Sequence, residues 1–185
     1  MKTYNYTELT DELVIDVRDN TIFRAGHLAN SLNLTAKQMP KYYPALVESG
    51  QTIVAVVNDP SDLDAIDTAV FAGYILFADI DADALVTTDT IKADDFLALD
   101  TDYVLLDLRH PDEITRPAPK KNLVNIALET LPENLDQLDK DATIYTLCGS
   151  GGRATAGAAY LAKNGFTNTH VIEGGIKAVI EAQNK

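Results

Sequence analysis

The stretch TIYTLCGSGGRATAGAAYLAKNG, residues 143–165, decides the fold. Its first five residues, Thr143–Leu147, are a short run of the kind that forms a buried parallel strand. Its last part, Arg153–Asn164, is predicted helical, with Ala and Gly over much of its surface and Asn164-Gly165 as the C-terminal stop. Small residues there let a helix lie close on a sheet. Between strand and helix stand Cys148-Gly149-Ser150-Gly151-Gly152-Arg153. A Gly-rich turn at such a junction can aim successive backbone N–H groups inward and so build an anion-binding concavity. The helix N-terminus adds unpaired donors and roughly half a positive charge. Arg153 adds a permanent cation in the first turn. All three effects favour negative charge on the Cys148 sulfur, which makes it the candidate nucleophile without a histidine base. Gly149, Ser150, Gly151, Gly152 and Arg153 are the candidate substrate-binding residues around it. The plainer reading is a buried structural cysteine before a glycine turn, and the strand–loop–Arg–helix context weighs against it.

Working outward, the same pieces occur twice. Leu13-Val14-Ile15-Asp16-Val17-Arg18 recurs as Val104-Leu105-Leu106-Asp107-Leu108-Arg109, Thr52–Val57 recurs as Thr143–Leu147, and Gly73-Tyr74 recurs as Gly165-Phe166. The offsets are 91, 91 and 92 residues. That period is too long for a solenoid unit and fits duplication of a whole small domain. The boundary is expected near Asp79–Asp89, giving domains 1–84 and 85–185. Each copy reads as α/β, with strands alternating with helices and an open sheet covered on both faces. In the first copy the strands are expected at Val14–Val17, Ile53–Val57 and Ile75–Phe77, with a helix across Asp62–Phe71. A last helix is expected over Ile176–Gln183.

Composition narrows the partners. The 185 residues carry 15 basic and 28 acidic side chains, a formal net charge of −13. Such a surface repels phosphate, so neither nucleic acid nor an anionic membrane is an expected partner. Residues 1–85 hold 5 basic and 13 acidic groups, residues 86–185 hold 10 and 15. The second half is thus the less hostile place for an anion. One cysteine forms no internal disulfide. The N-terminus turns polar at once, and the run Ala69–Ala78 is too short for a bilayer, which takes about 20 apolar residues. A cytoplasmic protein is the expectation.

Cys148 through Arg153 resembles the active-site loop of the rhodanese family, whose pattern is Cys, two variable residues, Gly, one variable residue, Arg. Asp107-Leu108-Arg109 with Pro111 and Glu113 is similar to the family's Asp-Val-Arg segment. Phe166–Gly175 is similar to its closing strand and Gly-Gly turn, and Gly26-His27-Leu28 to its Gly-His-Ile segment. The resemblance implies two tandem rhodanese-like domains, each a small, mainly parallel sheet with helices on both faces. It also implies a sulfurtransferase that moves sulfane sulfur from thiosulfate or a low-molecular-weight persulfide to a thiol or cyanide, through a Cys148 persulfide. Related phosphatases place one residue more between cysteine and arginine, so phosphate or arsenate chemistry ranks low. A silent first copy before an active one also resembles the C-terminal part of fusions with a metallo-β-lactamase-type persulfide dioxygenase, which implies such a dioxygenase as a separate partner.

Several positions depart from the family pattern. In the first copy Val57 or Asn58 stands where Cys148 does, and Ser61 or Asp62 where Arg153 does. That half is read as a non-catalytic scaffold. In the second copy Arg116-Pro117-Ala118-Pro119-Lys120-Lys121 replaces the Gly-His segment. Arg109, Arg116, Lys120 and Lys121 are candidates for a basic entrance, set against a plain solvated loop. His27, His110 and His170 lack ligand spacing, so no metal is expected, and no cofactor motif is present. The alternative function is a non-enzymatic sulfur-carrier or binding module acting with a partner protein.

Overall fold

The repeated apolar runs become inner strands of two separate parallel sheets. A computed structural model describes all residues, Met1–Lys185, and the chain divides into two compact units, Met1–Thr87 and Thr88–Lys185. In the first unit the strands are β1 (Lys2–Thr3), β2 (Leu13–Asp16), β3 (His27–Leu28), β4 (Leu32–Asn33), β5 (Ile53–Val57), β6 (Gly73–Leu76) and β7 (Leu85–Val86). Five form a sheet in the order β1-β6-β5-β2-β4, every pair parallel. All residues of β2 and β5 are buried, as expected of strands covered on both faces. Helices α1 (Asn20–Ala25) and α2 (Met39–Leu46) connect them.

The stretch 62–71 differs from the predicted helix. It forms two 3-10 turns, Pro60–Ala65 and Thr68–Val70. Asp59 and Asp62 cap the first turn reciprocally, and Ile66 is extended with φ −127° and ψ 149°. Asp67 then caps the second by accepting from the Ala69 N–H at 3.0 Å. Short acidic side chains that bond the local backbone compete with a continuous helix.

The second unit holds β8 (Thr90–Ile91), β9 (Val104–Asp107), β10 (Leu123–Asn125), β11 (Ile144–Leu147) and β12 (Thr169–Ile172). Its sheet runs β10-β9-β11-β12-β8, again all parallel. Helices α3 (Ala93–Leu97), α4 (Gly152–Lys163) and α5 (Gly175–Gln183) complete it. The strand alternation sorts the two faces. Leu105, Tyr145 and Leu147 pack with Ala93 and Phe96 of α3 and Ile176 and Val179 of α5. Thr146, pointing the other way, donates its hydroxyl to the Ala154 carbonyl of α4 at 3.0 Å. Ala154, Ala156, Ala158, Ala159 and Leu161 of α4 are buried, and a β-carbon on Gly157 would run into the Leu108 side chain. Helices therefore cover both faces, and the small residues of α4 set how closely it lies. No helix is long and apolar enough to cross a membrane.

Candidate active site

Cys148 follows the last residue of β11, and α4 begins four residues later at Gly152. Gly151 is the N-cap of α4 and adopts φ 108°, ψ −20°, a left-handed conformation that glycine enters without steric cost. It has no side chain with which to cap the helix. An N-cap side-chain oxygen ordinarily accepts the N–H two or three residues on. Here the Cys148 sulfur takes that place. It accepts the N–H of Gly151 at 3.1 Å and that of Ala154 at 3.3 Å. The thiol sulfur is thus the cap of α4, sitting where the helix concentrates positive potential.

The other side of the sulfur is apolar. Cys148 is 2% exposed and packs with Ala154, Ala158 and Val171. A second loop holds it from behind: the Ile176 N–H donates to the Cys148 carbonyl at 2.8 Å. Gly175, at φ 60°, presses against this same backbone, and a β-carbon there would come within 2.5 Å of the Cys148 carbonyl oxygen and 2.8 Å of Gly149. The Gly-Gly turn between β12 and α5 therefore fixes the cysteine loop by direct backbone contact.

Of the remaining candidate residues, Ser150 is exposed, while Gly149 and Gly152 are half-buried. The two N–H donors at the sulfur come from Gly151, inside the proposed set, and Ala154, outside it. Arg153 lies beside the loop, with one guanidinium nitrogen 3.6 Å from where a β-carbon on Gly149 would stand. Its other terminal nitrogen pairs with the Glu113 carboxylate. Glu113 also accepts the His110 N–H at 2.9 Å, closing the 3-10 turn Pro111–Glu113. Glu113 is a functional candidate that spacing alone does not reveal; its only signal was its position after Asp107-Leu108-Arg109.

Arg109 does not line a basic entrance. It is 4% exposed, donates to both carboxylate oxygens of Asp107, and gives a further N–H to the Arg116 carbonyl at 2.9 Å. Ala118 joins the core beside Phe96 and Tyr103, and the Lys121 ammonium lies 5.1 Å from the Tyr103 ring centre. The proline-flanked segment is thus pinned at two points. His110 is a turn-capping residue, its ring accepting the Asp112 N–H at 3.3 Å. No cluster of three or more metal-ligating side chains is formed.

The equivalent loop in the first unit is built differently. Asn58 directly follows β5, and Pro60 already begins a 3-10 turn. The N–H groups of Asn58 and Asp59 both donate to the Asp62 carboxylate, at 2.9 and 3.0 Å. A side chain of this chain satisfies the donors there, and it carries the charge that an incoming anion would bring.

Residues 92–182 match the family model described as the rhodanese-like domain. The "Putative sulfurtransferase YtwF" of Bacillus subtilis (strain 168) is 33% identical over 79 residues, covering 43% of this chain and 75% of that protein. Among solved structures, a rhodanese-related protein of Thermoplasma volcanium is 31% identical, covering 50% of this chain and 91% of its own, with a TM-score of 0.47. A thiosulfate sulfurtransferase of Pseudomonas aeruginosa is 20% identical, covering 93% of this chain and 36% of its own, with a TM-score of 0.44. The matched residues run from just before α3 to the last turn of α5 and enclose the whole cysteine loop. By this match and this relative, the chain belongs to the rhodanese-like domain family.

Proposed function

We propose that the protein is a sulfurtransferase in which Cys148 carries sulfane sulfur as a persulfide. The observation that carries this reading is the pair of backbone N–H groups, from Gly151 and Ala154, directed at the Cys148 sulfur. Donors held by the fold stabilise negative charge on sulfur without reorganising during the reaction. The relative named as a sulfurtransferase supports the same reaction class.

The Cys148 thiolate attacks the outer sulfur of a donor. With thiosulfate, the sulfur–sulfur bond breaks and its electron pair leaves with sulfite. With a protonated thiol persulfide, the pair leaves with the thiolate, which takes up the proton as free thiol. Either way Cys148 retains one sulfur as an anionic persulfide. An acceptor, cyanide or a thiol, then removes that sulfur and regenerates the thiolate. Because the chain has one cysteine, the acceptor is external. The near-complete burial of Cys148 suits a slim terminal sulfur better than a tetrahedral phosphoryl group.

The first unit is, in this reading, a silent copy within a tandem pair. Asn58 has no thiol, and Asp62 fills the local amide donors with its own carboxylate. Low-molecular-weight persulfide and thiosulfate are the donor classes, and a persulfide dioxygenase is a candidate partner by the family resemblance. The burial of Cys148 to 2% favours one second reading, a carrier that releases sulfur only to a partner protein. Steady-state kinetics with varied donor and cyanide separates the two. Sulfurtransfer through a covalent intermediate gives parallel double-reciprocal lines, whereas a carrier gives one equivalent of uptake and no turnover with cyanide.

A further inference from the structure

The cation of the cysteine loop comes with its own counter-ion. Arg153 pairs with Glu113, whose side chain is 41% exposed while that of Arg153 is 17% exposed. The Glu113 Oε1 that faces Arg153 also accepts the His110 N–H. Its turn carries a second carboxylate, Asp112, and the nearest arginine of the preceding segment, Arg109, is buried on Asp107. The mouth of the loop therefore offers a donor a guanidinium whose charge is already balanced.

Resting on the sulfurtransferase reading, we infer that Glu113, by pairing with Arg153, makes Cys148 selective for thiol persulfides over thiosulfate. Thiosulfate brings two negative charges within one bond of the attacked sulfur, and sulfite leaves with both. It needs a free cation at that point and must compete with Glu113 for Arg153. A protonated thiol persulfide brings no charge to the attacked sulfur, and its leaving thiolate develops one. A neutral Arg153–Glu113 pair tolerates the second donor and gives the first no net attraction. Glu113 acts through Arg153 and is a positioning residue.

The test compares thiosulfate with glutathione persulfide as donors to cyanide in the full chain, for wild type, Glu113→Gln and Glu113→Asp. Gln keeps an oxygen for the His110 N–H and removes the charge; Asp keeps the charge. The wild type is expected to favour the persulfide in kcat/KM. In Glu113→Gln the thiosulfate-to-persulfide ratio of kcat/KM rises about fivefold, mainly through a lower KM for thiosulfate, the scale set by a partly exposed ion pair. Glu113→Asp returns the ratio towards wild type. Added salt lowers kcat/KM for thiosulfate more steeply in Glu113→Gln than in wild type, because one negative charge fewer stands beside Arg153. A merely structural Glu113 would lower both donors together and leave the salt dependence alone. If wild type and Glu113→Gln both load sulfur on Cys148 and their donor ratios do not differ, this inference falls alone. If the wild type loads no sulfur from either donor, the sulfurtransferase reading falls and takes the inference with it.

Discussion

The Ala154 N–H lies 3.3 Å from the Cys148 sulfur, six residues earlier in the chain, and donates to it. The sulfur thereby does the work of an N-cap oxygen for α4, so the start of that helix rests on the side chain proposed to carry sulfur. Replacing Cys148 by Ala removes the acceptor from two buried N–H groups and leaves a small void among Ala154, Ala158 and Val171. Cys148→Ala should lower stability by about 1–2 kcal/mol, the usual loss on removing a cap. Denaturant titration of the full chain measures it. A stability equal to wild type would mean that the sulfur does not cap the helix.

The backbone contact between Gly175 and Cys148 gives a second expectation. Gly175→Ala places a β-carbon in contact with the Cys148 carbonyl and Gly149, at a φ of 60° that disfavours side chains. The loop must move, at a cost of about 1–3 kcal/mol for overpacking. Sulfur transfer should fall well beyond what this destabilisation explains, because the displaced loop carries both donors away from the sulfur. Activity at wild-type level in a stable Gly175→Ala protein would show that the turn does not hold the site.

The Asp107–Arg109 pair is nearly sealed from solvent, with side chains 2% and 5% exposed. Removing one partner from such a pair strands the other charge. Asp107→Asn should therefore destabilise the second unit by about 3–5 kcal/mol, read by chemical denaturation.

In the first unit, His27 is 7% exposed, stacks on Phe23 with ring centres 3.8 Å apart, and donates its Nδ1 proton to the Phe23 carbonyl at 2.9 Å. Burial, the largest cause, holds it below the ordinary histidine range; Arg18 adds to this, while the Phe23 carbonyl and Asp16 oppose it. The unfolded chain therefore takes up a proton at a higher pH than the folded one. This contribution to stability is intact above the ordinary value, about 6.5, and is lost as pH falls below it, with a slope of at most about 1.4 kcal/mol per pH unit. Unfolding followed across this range should show the loss in wild type and a flatter profile in His27→Gln. Equal profiles would contradict a buried neutral His27.

The cysteine loop was legible in the sequence because its information lies in residue types and spacing: a cysteine, glycines and an arginine between a strand and a helix. The alternation of strands and helices was legible for the same reason, with α4 and α5 beginning within one residue of expectation. The Ala154 donor was not, because every residue but proline has an N–H and only the path of the chain selects which one reaches the sulfur. Arg109 misled because a charged residue after a strand reads as exposed, whereas Asp107, two residues before it, draws it back over the end of β9. The 3-10 turns over 60–70 replaced a helix because Asp59, Asp62 and Asp67 cap locally, an outcome that hydrophobic pattern alone does not register. Glu113 was visible in its segment, but its pairing with Arg153, 40 residues on, emerged only from the fold.

Intact mass spectrometry of the full chain, after incubation with glutathione persulfide or thiosulfate and again after cyanide, tests sulfur carriage by Cys148 most directly. The account predicts that wild type gains the mass of one sulfur atom from at least one donor, that cyanide removes it, and that Cys148→Ala gains nothing. An unchanged wild-type mass with both donors, or the same gain in Cys148→Ala, would contradict it.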